Sequence, residues 1–237
     1  MTQEESQIEQ EAITFAKANK KAIAKELTDL SKFPADRIPV SVFMAGSPGA
    51  GKTEASQNLI KRFASSTRPI LRIDTDEIRS KLPGYTGKNS HLFQASTSII
   101  ADRMHDLALS NKQSFVFDGT LSNLARAREN ISRSIGKGRF VQIIYVYQDP
   151  LQAWQFVKAR EEKDGRHVPC ESFIQQYFHA RENVNCLKKE FGDKIKVDLV
   201  VKNIDGTDFS YRENIDIIDN YIPEKYNVEQ LKAIIVE

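Results

Sequence analysis

Cysteine is scarce in this 237-residue chain. Only Cys170 and Cys186 occur, in no metal-ligand spacing, on what reads as one helical stretch. A disulfide-stapled secreted scaffold and a cysteine-bound zinc centre are thereby excluded, and two buried thiols of a reducing compartment are expected. Long apolar runs are also missing. No stretch approaches the roughly 18 residues of a membrane helix. The first residues include Glu4, Glu5, Glu9 and Glu11 rather than a basic and then apolar leader. No membrane span, no signal peptide and a cytoplasmic location are therefore expected. Charge of one sign is lacking as well: 34 Lys+Arg stand against 32 Asp+Glu. Nothing in that balance argues for nucleic acid or an anionic membrane as partner. Internal repeats and low-complexity segments are absent too. A chain this long can bury roughly 70–75% of its unfolded surface in one α/β domain.

What is present centres on residues 39–53, an apolar run that breaks into Gly46-Ser47-Pro48-Gly49-Ala50-Gly51-Lys52-Thr53. This fills the G-x-x-x-x-G-K-[ST] pattern of a phosphate-binding loop. Glycines let backbone N–H groups close on a polyphosphate. Lys52 is then aimed at the β/γ-phosphates, and the Thr53 hydroxyl can ligate Mg²⁺. Val40, Val42, Phe43 and Met44 read as the preceding buried strand, and 54–63 as the following helix.

Residues 6–30 carry a helical apolar stripe and read as an amphipathic helix packed on the flank of the domain, or else as a detachable regulatory helix. A short strand over 69–74 delivers Asp74 and Asp76 at its carboxyl end, where open α/β sheets bind ligands. Asp74 could instead cap the next helix. Loop 81–90, a helix over 91–109 and a third strand over 114–118 follow. Asp118 ends that apolar run as a carboxylate for the metal or for the acceptor. His91 and His105 read as ordinary helix residues. A helix over 123–135 and a buried strand over 140–147 lead to a helix over 151–162 and a basic, turn-containing segment. Arg160 and Arg166 in that region can close over phosphate oxygens as a lid. A helix over 171–191, a fifth strand over 196–203, a loop at 203–207 near the nucleobase and a terminal helix over 228–236 complete the chain.

The fold class expected is α/β, a three-layer P-loop kinase-like sandwich with a mostly parallel sheet of about five strands and helices on both faces. It would be one domain over 1–237, with 1–30 as the N-terminal helix and 151–170 as the lid. Other nucleotide-binding classes fit less well. A GTPase would need an Asn-Lys-x-Asp base reader, whereas Lys202-Asn203 is reversed, and Asp118 is followed at once by Gly119. A polynucleotide kinase would need a basic groove with stacking aromatics. A non-enzymatic ATP-binding module would have little use for Asp76 and the arginine pair. A kinase of a nucleoside, antibiotic or other nucleotide-linked metabolite stays open.

With Gly-Ser-Pro-Gly-Ala-Gly-Lys-Thr at 46–53, Ile-Asp-Thr-Asp at 73–76, Leu-Pro-Gly-Tyr at 82–85, Asp-Gly-Thr at 118–120 and arginines 160 and 166, the chain resembles the zeta toxins over about 39–202. These are P-loop kinases of UDP-N-acetylglucosamine. The resemblance implies ATP and Mg²⁺ as cofactors and Asp76 as the base, with Asp74 in support. It implies Lys52, Arg160 and Arg166 around the transferred phosphate, and Thr53 and Asp118 at the metal. Asp76, Tyr85, Asp118 and Thr120 would hold the acceptor, the 3′-hydroxyl of the N-acetylglucosamine unit of a nucleotide sugar. Phosphorylation there would block cell-wall precursor synthesis. A small helical antitoxin is the implied partner, for which the helix over 6–30 could substitute in cis. Two positions depart from the family's pattern: Asp118 stands where glutamate is usual, and Ser122 where some members carry arginine.

Overall fold

The computed structural model describes residues 2–63, 69–205, 207–222 and 225–235. Six strands form one sheet: β1 (Val40–Ala45), β2 (Leu71–Asp74), β3 (Phe115–Asp118), β4 (Phe140–Tyr147), β5 (Lys196–Lys202) and β6 (Asp208–Arg212), in the spatial order β2-β3-β1-β4-β5-β6. The first five run parallel. β6 is antiparallel to β5 and is one strand more than the sequence pattern suggests. It is a short edge strand, and its existence depends on pairing with β5 rather than on an apolar run of its own.

Alternation along the strands sorts their side chains to two faces. Val42, Met44, Val116, Ile144 and Val146 pack under α2 (Lys52–Phe63), with Leu59 and Ile60 of that helix against them. Phe43, Phe115, Ile143, Tyr145 and Leu199 point the other way. That face is covered by α4 (Gln94–Ser110), α5 (Leu124–Gly136), α6 (Pro150–Asp164) and the long α7 (Cys170–Phe191). Both cysteines lie on α7, and neither is in a disulfide.

The N-terminal helix α1 (Gln3–Leu27) begins with a capping box between Thr2 and Glu5. Ala12, Ala16 and Ala24 are buried in the main core, and small side chains there let α1 lie close along α4. No residue of α1 is among those lining the cleft described below. The packing is that of a flank helix and gives no support to occlusion of the site by α1. At the other end, α8 (Val228–Ile234) is capped by Asn227. Val236, at the far end of the terminal helix expected from the sequence, lies outside the described residues.

His105 of α4 is fully buried among Phe43, Phe115 and Phe117, edge-on to each ring, with Nδ1 3.2 Å from Asn130 Oδ1. Burial, with Arg133 adding to it, pushes its pKa down from the usual 6.5 to about 4. The neutral ring is the folded form, so between those two values the unfolded chain binds the extra proton. Stability is therefore expected to be complete above pH 6.5 and to fall on the order of 3 kcal/mol as pH drops through 4. His105→Leu should flatten that part of the curve in urea titrations. An unchanged pH dependence in the variant would refute the assignment.

Candidate active site

β1 is the central strand, with β3 on one side and β4 on the other. The chain leaving it must turn sharply at the carboxyl edge of the sheet to enter α2. Gly46 has φ 134, and a Cβ there would lie 2.3 Å from the Val146 carbonyl oxygen. At Gly49, with φ 73, a Cβ would lie 2.1 Å from the carbonyl oxygen of Ala153 in α6. These two positions admit only glycine, and they fold the loop back over the first turn of α2. The Gly46 N–H donates to Thr120 O at 3.2 Å, tying the loop to the segment after β3.

Lys52 opens α2. Its Nζ donates to Gly46 O at 3.0 Å and to Ser47 O at 2.6 Å. Burial pulls its pKa down to about 8, with Asp118 opposing the shift most strongly. The ammonium is thus held over the loop at the positive end of a helix dipole, an arrangement suited to a polyanion.

β2 places its acids as the sequence pattern suggests. Asp74 is the N-cap of the five-residue helix α3 (Thr75–Arg79), accepting from the Asp76 N–H at 2.8 Å. Burial and the nearby Asp76 raise its pKa to about 6, against the pull of Arg72. Asp76 itself is met by three arginines. Oδ1 accepts from Arg79 Nη1 at 2.6 Å, and Oδ2 accepts from Arg160 Nη2 at 3.0 Å and from Arg166 Nη1. Arg160 lies on α6. Arg166 follows Gly165, whose left-handed conformation ends that helix. The turn brings both guanidinium groups to one carboxylate, and burial lowers the pKa of Arg166 below the ordinary guanidinium value.

Asp118 ends β3 directly beside Asp74 of β2. Its Oδ2 accepts from Ser56 Oγ at 3.0 Å and from Arg72 Nη2 at 2.6 Å. Arg72 also reaches Asp74 at 2.7 Å and Glu77 at 2.8 Å. Among the described residues no group of three or more His, Cys, Asp or Glu side chains is arranged to hold a cation unaided. Thr53 and Asp118 nevertheless both line the cleft. One hydroxyl and one carboxylate fit the way magnesium is usually shared with substrate phosphates.

These groups share a cleft of about 1070 Å³ that runs from the glycine-rich loop past Asp76 to Gln94, Asp102, Arg126 and Asn130. Ser47 is buried in the loop, while Pro48, Ala50, Gly51, Thr120 and Ser122 line the cleft. Thr120 Oγ1 and Ser122 Oγ are 2.8 Å apart. Asp205 lines the cleft too, which puts part of the 203–207 loop at its rim; Gly206 of that loop lies outside the described residues. Tyr85 is placed elsewhere. Its ring is edge-on to Phe93, centroids 5.5 Å apart, and it is not among the cleft-lining residues.

Arg72 and Arg79 belong to no motif of the sequence. Their signal was present: Arg72 precedes Asp74 by two on a strand, and Arg79 follows Asp76 by three on a helix, and both spacings put side chains on one face.

Comparison with known proteins bears on the fold and the family. No curated protein matches the chain. Among solved structures, one from a study of the PezAT chromosomal toxin-antitoxin system of Streptococcus pneumoniae superposes with a TM-score of 0.62 at 16% identity, covering 100% of this chain and 88% of that one. The AvrRxo1-ORF1:-ORF2 complex with ATP superposes at 0.58 and 15% identity, covering 86% of this chain and 65% of its counterpart, and the same complex with sulphate ions at 0.58 and 16%, covering 91% and 70%. The zeta toxin sequence model matches residues 23–216, and the chain belongs to the zeta toxin family.

Proposed function

We propose that this protein is an ATP-dependent phosphotransferase whose acceptor is a hydroxyl of a nucleotide sugar, with the 3′-hydroxyl of the N-acetylglucosamine unit of UDP-N-acetylglucosamine as the first candidate. The observation that carries the reading is the position of Asp76. It sits in one cleft with the Lys52 loop and within hydrogen-bond reach of Arg160 and Arg166. Family membership supports kinase chemistry, and a superposable complex crystallised with ATP supports the nucleotide.

In this reading the loop 46–53 binds the triphosphate through its backbone N–H groups, and Lys52 moves from the Gly46 and Ser47 carbonyls to the phosphates. Magnesium, held by Thr53 and Asp118, would neutralise charge on the β- and γ-oxygens. Asp76 orients the acceptor hydroxyl and takes its proton late, since a carboxylate is too weak a base to remove it early. The acceptor oxygen bonds to the γ-phosphorus as the bridging P–O bond breaks, and its electron pair leaves with ADP. Arg160 and Arg166 exchange Asp76 for the transferred group as segment 151–170 acts as the lid. Thr120, with Asp118, borders the acceptor. The enzyme would be cytoplasmic; no helix among the described residues is long and apolar enough to cross a membrane. An antitoxin protein is the expected partner, a reading supported by the toxin-antitoxin system to which one superposable structure belongs.

The test is direct. Incubated with Mg·ATP and a panel of nucleotide sugars, nucleosides and aminoglycosides, the protein should add one phosphate to UDP-N-acetylglucosamine, read by mass. Transfer to another member of the panel would reassign the acceptor, as the shorter Asp118 and the neutral Ser122 allow. Transfer to none would overturn the nucleotide-sugar reading.

A further inference from the structure

Asp76 does not hang freely at the end of β2. Each of its two oxygens has its own kind of partner. Oδ2 is met by Arg160 and Arg166, from α6 and the turn after it, and the Arg160 side chain is 45% exposed. Oδ1 is met by Arg79, whose side chain is only 5% exposed. Arg79 is held from behind as well: its Nη2 donates to Gln94 Oε1 at 2.6 Å, at the start of α4. Its Nε is buried with no hydrogen-bond partner among the described residues. The guanidinium is thus a fixed fork, with one tine on the carboxylate and the other on an amide of a different helix. A buried arginine that gives up one of its hydrogen bonds carries a desolvation cost that a surface residue would not, and the position suits a task that needs a fixed cation beside Asp76.

We propose that Arg79 is a positioning residue for phosphoryl transfer. It clamps Oδ1 so that the plane of the Asp76 carboxylate is set before the acceptor arrives, and Oδ2 is the oxygen that exchanges partners. The inference rests on the kinase reading above and extends it. Arg160 and Arg166 reach Asp76 from a segment that can move to the phosphate, but Arg79 sits one helical turn from Asp76 on the same short helix and cannot follow them. When the two outer arginines turn to the transferred phosphate, Oδ2 becomes available to accept the acceptor's proton while Oδ1 keeps its hydrogen bond. Without the fork the carboxylate would be free to rotate about its Cβ–Cγ bond, and loss of orientation of a reacting group by about 1 Å can lower a rate by about 10²-fold. Gln94 belongs to the same device, since it is what keeps Arg79 from turning.

The test uses the intact protein and three substitutions. Arg79→Lys keeps the charge but cannot span Asp76 and Gln94 together. Gln94→Met cuts the far end of the fork at an exposed position, where folding is secure. Each is measured alone and on an Asp76→Asn background, with kcat, the KM for ATP and the thermal midpoint as readouts. Arg79→Lys should lower kcat about 10–100-fold, and Gln94→Met about 3–10-fold, with KM for ATP within about twofold of the parent. On the Asp76→Asn background both effects should shrink to less than about twofold, because the residue they act through is gone. Effects of equal size on both backgrounds, or a wild-type kcat in folded Gln94→Met, would overturn the proposal. Failure of the kinase reading looks different: the parent protein itself would then transfer phosphate to no acceptor, and there would be no kcat for the substitutions to lower.

Discussion

Asp76→Asn should leave ATP binding and folding in place and lower phosphoryl transfer by roughly 10²–10⁴. The substitution keeps the size of the side chain and changes its chemistry. Asp76 now accepts three guanidinium contacts with two oxygens. Asparagine has one oxygen left for them and turns an NH₂ group toward a cation, so it neither takes the acceptor's proton nor draws the lid arginines in. The glycine-rich loop, Lys52 and Thr53 are untouched, and the dissociation constant for ATP should stay within about threefold of the parent. Single-turnover transfer with equilibrium nucleotide binding separates the two quantities. Full transfer by the variant would remove Asp76 from the chemistry. A loss of nucleotide binding equal to the loss in rate would make it a structural residue of the loop.

Arg166→Gln is expected to have an effect of similar size for a different reason, a loss of transfer of roughly 10³-fold with a weakened response to bound acceptor. A guanidinium that closes on a transferred phosphoryl group is worth about 10³–10⁵ in rate. Arg166 is the better placed of the pair. Its side chain is 23% exposed against 45% for Arg160, so its charge is less screened by water and salt. Arg160→Gln should therefore cost less, about 10–100-fold, and its effect should shrink as salt is raised. Rates for the two variants at low and high ionic strength test the order. Equal losses with equal salt dependence would show that exposure does not rank the two charges.

Much of this site could be read before any fold was known, because it is encoded locally. A glycine-rich turn ending in Lys-Thr means the same thing in any context that presents it between a strand and a helix. Asp74 and Asp76 were recognisable as a pair because they close a short apolar strand. Their division of labour also follows from local rules, since Asp74 caps the helix that Asp76 begins to build. Other parts were not local. β6 has no apolar run to announce it and exists by pairing with β5. The family resemblance implies Tyr85 as an acceptor residue, and only the structure sets its ring edge-on to Phe93. Asp118 read as a metal or acceptor carboxylate, and only the structure places Arg72 and Ser56 on its Oδ2.

The convergence on Asp76 marks the same boundary. Arg160 and Arg166 stand 84 and 90 residues from it in the chain. Their basic character was visible in the sequence, but their common target was not. The order of strands puts β2 at the edge and β1 inside the sheet, the left-handed Gly165 ends α6, and together these carry two distant cations to one carboxylate. By itself the sequence determined a phosphate-loop pattern between a strand and a helix and the pairing of Asp74 with Asp76, since strand and helix periods and glycine's backbone freedom act over a few residues. Which oxygen of Asp76 each arginine takes, and that Arg79 is buried behind it, was decided only by the tertiary structure. Burial and the meeting of separate elements are properties of the packed chain and of no segment within it.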